Sequence, residues 1–173
     1  PPAGICGTGL IEVVACRLDL GVIDHSGRIL PAEESPEGVP ESVRRRIVEK
    51  DGVRRFILEE AGRSASGSPI FLDQWDVRKL QSAKAAVMAG ANLLLREAGI
   101  EWGELETVFL AGAFGAHLRS GRAARIGLIP PLPGDRVRIV HNAAGSGGRL
   151  ALLSREKLAQ AAEEYGYARY WVA

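Results

Sequence analysis

The chain has 173 residues with 46% hydrophobic and 25% charged side chains, enough apolar material for a packed core and too much for a disordered chain. Twenty-two basic residues almost cancel twenty-one acidic ones, leaving +1, so global charge argues for neither a nucleic acid nor a membrane surface as partner. Two cysteines, Cys6 and Cys16, are too few for a zinc or iron–sulfur framework.

The chain opens on Pro1-Pro2-Ala3-Gly4 without an initiator Met, which reads as a cut from a longer polypeptide. Neither a signal segment nor an apolar run long enough to span a bilayer is present, and the expectation is a soluble, cytoplasmic protein. Behind the glycine-rich stretch Gly4 to Gly9, the spacing of Leu10, Ile11, Val14 and Leu18 predicts a helix from Thr8 to Leu20, stopped by Gly21. Val22-Ile23-Asp24 and Gly27-Arg28-Ile29-Leu30 suggest short strands around a Ser26-Gly27 turn. Residues 31–69 read as an irregular surface excursion: prolines at 31, 36 and 40, then Arg44-Arg45-Arg46, with one short helix and a strand from Val53 to Leu58. The arginine run is a solvated face before it is a binding patch. Ile70-Phe71-Leu72 supplies a further strand.

Asp73 to Gly99 is the clearest element. Val77, Leu80, Ala83, Val87, Ala91, Leu94 and Ala98 recur at steps of three and four, with Asp73 placed to cap, Asp76 suited to the positive end and Gly99 as terminator. Thr107 to Ala111 reads as a strand buried on both faces, followed by Gly112-Ala113-Phe114-Gly115 and a helix through Arg125. Val137 to Val140 is a second such strand, leading through Asn142 to Gly148 into a helix from Arg149 to about Tyr165. Tyr167 to Val172 closes the chain as an edge strand. Two successive strand–glycine turn–helix units argue for an α/β architecture in a single domain over 1–173.

Glycine turns between a strand and a helix let a ligand touch main chain and offer unpaired N–H groups, and in open α/β sheets ligands gather at the carboxyl ends of strands. Gly112 to Gly115 and Gly145 to Gly148 should share that edge and form a nucleotide site. The same glycines also serve close helix–strand packing, and the residues alone leave both uses open. Gly4, Gly7 and Gly9 do not match the dinucleotide fingerprint, and there is no Walker lysine motif or G-x-S-x-G elbow. His25, His117 and His141 lack metal-ligand spacing. Neither a catalytic nor a metal-ligating residue is assigned.

Taken together, Gly4 to Ile11 (GICGTGLI), Asp76 to Ala86 (DVRKLQSAKAA), Leu110 to Gly115 (LAGAFG), Ile126 to Pro130 (IGLIP) and Asn142 to Gly145 (NAAG) resemble ordered motifs of the reductive activators of corrinoid-dependent enzymes. The likeness runs from residue 4 to about 154. Asp73, Lys79 and His141 depart from it, standing where Thr, Glu and Gly are usual. The C-terminal part of that family is a domain of the acetate kinase, sugar kinase, Hsp70 and actin superfamily. The resemblance implies an actin/Hsp70-like (ribonuclease H-like) α/β lobe, a mixed sheet flanked by helices, within a larger chain. It implies ATP with Mg²⁺ as cofactor, and a [2Fe–2S] cluster carried only by an N-terminal part. The implied activity is the return of inactive Co(II) corrinoid proteins to Co(I) at the expense of ATP. The implied partners are a corrinoid protein or a cobalamin-dependent methyltransferase, with a homodimer also allowed. By the same likeness Gly112, Ala113, Phe114 and Gly115 would line the adenosine pocket and Gly145 and Ser146 would close it. Gln81 and Lys84, one turn apart, would reach ribose or phosphate. The lobe alone should hold nucleotide weakly and hydrolyse none. Two alternatives stand beside this: a protein-docking module with a vestigial nucleotide site, and the C-terminal half of a small-molecule kinase of the same superfamily.

Overall fold

The computed structural model describes residues 1–166; the strand expected over 167–172 lies outside them. In chain order the elements are α1 (Gly7–Asp19), α2 (Glu41–Arg44), β1 (Ile47–Lys50), β2 (Val53–Glu59), β3 (Ile70–Asp73) and α3 (Gln74–Ala98). There follow β4 (Val108–Leu110), α4 (Gly112–Ala116), α5 (Ser120–Arg125), β5 (Val137–Ile139), α6 (Ala143–Leu153) and α7 (Arg155–Gly166). The fold is α/β, with sheets flanked by helices. The chain divides into two compact units: residues 1–107 with 118–137 and, among the described residues, 108–117 with 138–166.

The first unit holds every buried apolar side chain found among the described residues. Its sheet runs β1-β2-β3, antiparallel throughout. Register places Ile47, Phe56 and Leu72 side by side in one row, all buried, on the face that also meets α1. There the Arg17 guanidinium stacks 4.1 Å from the Phe56 ring centroid, and Ile11, Val14 and Ala15 of the same helix are buried. Each of the buried Ile, Leu, Val and Phe side chains contributes roughly 1.5–3 kcal/mol by leaving water. On the opposite face Arg55 lies over Phe71, 4.7 Å from the ring centroid. Residues 31–69, read as an irregular excursion with a strand from Val53 to Leu58, thus contain two strands of this sheet, β1 being the one not expected. The hairpin between them turns on Asp51 and Gly52, both with positive φ (55° and 71°), the twist that a two-residue loop needs to join antiparallel strands.

α3 forms as its spacing predicts. The Asp73 carboxylate accepts from Asp76 N–H at 2.9 Å, the Asp76 carboxylate accepts from Asp73 N–H at 3.2 Å, and Gly99 closes the helix at φ 69°. Its first turns grip the 26–29 turn: Gln74 donates to the Gly27 carbonyl and accepts from Ile29 N–H, while Arg78 and Gln81 both donate to the Ser26 carbonyl. The two short strands expected around that turn reduce to one antiparallel bridge, Ile23 to Ile29. α1 is clasped to α5 by charge: Asp19 pairs with Arg122 and Arg125, each at 2.5 Å, and Glu12 with Arg119 at 3.2 Å.

The second unit is built on β4 and β5, which pair with each other. Val140 N–H donates to the Leu110 carbonyl and Gly112 N–H to that of His141. Both contacts advance in the same sense along both segments, so the pair is parallel. The strands were expected to be buried on both faces, yet Phe109 is 60% and Ile139 41% exposed. A two-stranded pair cannot bury two faces unaided. The helix expected through Arg125 is instead two, α4 and α5, interrupted at 117–119, and that expected from 149 to 165 begins at Ala143 and breaks at Ser154. Asn142 starts it early by capping, and the Ser154 hydroxyl accepts from Lys157 N–H to open α7.

Candidate functional site

The two glycine-rich segments meet at one end of the β4–β5 pair. Because the strands run parallel, both release their chains in the same direction, one into α4 and the other into α6. The junction is a direct main-chain bond, Gly112 N–H to the His141 carbonyl at 2.6 Å. The segments expected to share a rim were 112–115 and 145–148; the bond itself joins Gly112, which opens α4, to His141, four residues ahead of Gly145.

The glycines there do different things. Gly112 has φ 85°, and a Cβ built on it would find no atom within 4 Å, so bare main chain faces open space. A Cβ on Gly115 would stand 3.0 Å from the Leu110 carbonyl carbon and 3.1 Å from its oxygen, so this glycine permits the helix to fold back against its own strand. A Cβ on Gly145 would strike the Asn142 side chain, whose Oδ1 accepts from Gly145 N–H at 2.9 Å. Ser146 N–H is taken as well, by the Asn142 carbonyl at 3.0 Å. The first turn of α6 therefore spends these two amides on its own cap and does not present them to an anion. Phe114, half exposed, supplies an aromatic surface on the same unit.

Gln81 and Lys84 belong to the other compact unit, and both side chains have protein partners. Gln81 Nε2 donates to the Ser26 carbonyl at 2.9 Å and its Oε1 accepts from Arg78 at 2.8 Å. Lys84 Nζ donates to the Ile126 carbonyl at 2.5 Å, satisfying the end of α5. They border a cavity of about 50 Å³ with His25, Val77, Leu80 and Ile126, room for water rather than for a nucleoside.

The residues fit an adenosine group better than a phosphate chain: open main chain at Gly112 and an exposed aromatic at Phe114, with the Gly145 and Ser146 amides already bonded. They do not fit an iron–sulfur cluster. Cys6 caps α1, its thiol held below its ordinary pKa by the Thr8 hydroxyl and the Gly9 amide, and Cys16 sits ten residues on in the same helix. Among the described residues no group of three or more His, Cys, Asp or Glu side chains converges, and no helix is long and apolar enough to cross a membrane. The missed features are the cap at Asn142, for which Asn ahead of a helical run was the available signal, and His141 as the bonding partner of Gly112, for which the sequence carried none.

A family model described as the C-terminal domain of RACo, the ASKHA domain, matches residues 1–168. The chain is 35% identical over 156 residues to the "Corrinoid activation enzyme RamQ" of Eubacterium limosum, an alignment covering 90% of this chain and 26% of that protein. It is also similar to a solved structure titled "Reductive activator for corrinoid,iron-sulfur protein", with a TM-score of 0.74 and 31% identity over 92% of this chain and 24% of that one. The chain thus spans about a quarter of the length of each.

Proposed function

The chain belongs to the family of the C-terminal ASKHA domain of RACo, and on that premise we propose that it is the adenosine-holding lobe of an ATP-dependent reductive activator that returns Co(II) corrinoid proteins to Co(I). The observation that carries this reading is the Gly112–His141 main-chain bond, which ties the starts of α4 and α6 together at one strand end beside bare backbone. Gly112, Ala113, Phe114 and Gly115 would form one side of the nucleoside cradle. Gly145 and Ser146 would form the other, through their main-chain surface and the Ser146 hydroxyl.

When bound, ATP supplies the free energy of hydrolysis to the complete activator. This chain's part is to bind and orient the nucleoside. Phosphoryl transfer rests on positioned charge and metal, and the bonded amides at Gly145 and Ser146 offer little of either. The substrate protein would be a corrinoid protein or a cobalamin-dependent methyltransferase. Calorimetric titration with ATP·Mg²⁺ and with adenosine, alongside a phosphate-release assay, tests the reading. Binding of both ligands with no turnover is expected, and sustained phosphate release by the chain alone would contradict it.

A further inference from the structure

His141 occupies backbone that glycine would hold without strain. Its φ is 43°, in the left-handed region that side chains disfavour. Among the described residues the other non-glycine with positive φ, Asp51, is accounted for by its two-residue hairpin with Gly52. Around His141 the chain uses glycine freely, at 112, 115, 145, 147 and 148, and a Cβ on Gly147 or Gly148 would meet no atom within 4 Å. At a position whose backbone glycine would hold without strain, the chain carries an imidazole instead.

What the fold takes from His141 is main chain alone: its carbonyl accepts from Gly112 N–H at 2.6 Å and from Ala143 N–H at 3.0 Å. Glycine would provide that carbonyl equally well. The side chain is exposed, and among the described residues no hydrogen bond engages its ring. The imidazole therefore stands, without a structural task, at the strand end where Gly112 leaves main chain open. A strained residue persists where its side chain has work to do, and an exposed flat ring at such a rim suits a flat ligand.

We propose that His141 is a specificity-determining residue that stacks against the purine ring of the nucleotide, an inference that rests on the adenosine-lobe reading above. The test compares the full chain with His141→Gly and His141→Asn, using ATP·Mg²⁺ and adenosine as titrants and thermal unfolding as the stability readout. H141G relieves the backbone and should raise Tm, while weakening both ligands by roughly tenfold, the scale of one base–aromatic stack. H141N, which tolerates the left-handed backbone but offers no ring, should weaken both ligands to the same degree. The loss should be equal for ATP and adenosine, because the ring meets the base. Wild-type affinity in either variant, or a loss confined to ATP, would overturn the inference while leaving the adenosine lobe standing. A wild-type chain that binds neither ligand would overturn both.

Discussion

Replacing Gly112 by Ala separates the ligand's use of this glycine from the fold's. At φ 85° an L-residue is strained by about 1–2 kcal/mol, and since nothing lies within 4 Å of the added methyl, no packing term adds to it. For a chain of this size that is a fall in Tm of roughly 2–8 °C. The methyl would project into the space the nucleoside is proposed to fill, so ATP affinity should drop at least about tenfold, a loss of about 1.4 kcal/mol in binding. Gly115→Ala gives the contrast in stability: its methyl would press on the Leu110 carbonyl, so overpacking of about 1–3 kcal/mol appears there. Circular dichroism melts and calorimetric titration on the same preparations give both quantities. The reasoning fails if G112A folds within that range and binds ATP as tightly as the wild type, or if it unfolds outright and so reveals a contact that the geometry does not contain.

Asp73→Ala removes half of the α3 capping box and should destabilise the chain by about 1 kcal/mol in a denaturant titration, an effect that Asp73→Asn largely avoids. Asp24 accepts from the Ser26 hydroxyl at 2.7 Å; that bond above all, with the Arg28 and Ser26 amides and the Arg28 guanidinium, holds its pKa at about 2, below the ordinary 3.8. Because the folded value is the depressed one, its stabilisation is complete above the ordinary value and fades as pH falls toward 2. Asp24→Asn should flatten the melting temperature's dependence on pH across that window. Arg122→Ala opens the clasp between α1 and α5, and the resulting difference in Tm should be visible at low salt and shrink in 1 M salt, since these groups are partly exposed to solvent.

α3 was legible to its ends because every signal agreed: spacing, Asp73 and Asp76 at the start, Gly99 at the stop. β1 was not, since three prolines and an arginine run drew attention to irregularity. The Asp51-Gly52 pair between two β-prone runs was the hairpin signature that would have revealed it. The glycines at 145, 147 and 148 read as loop because glycine is a poor helix former, but the Asn142 cap starts the helix ahead of them. At the site, the meeting of two glycine turns followed from the strand–turn–helix pattern. The commitments of Gln81 and Lys84 did not. Their partners, the Ser26 and Ile126 carbonyls, lie 55 and 42 residues away in the chain, a pairing that only the fold creates.

Amide chemical shifts of the ¹⁵N-labelled chain, followed as adenosine and then ATP·Mg²⁺ are added, bear most directly on the adenosine cradle. Saturable shifts at Gly112, Phe114, Gly115, His141 and Ser146, alike for the two ligands, are expected. Contradiction would be a set of shifts that bypasses these amides, or a spectrum that neither ligand changes.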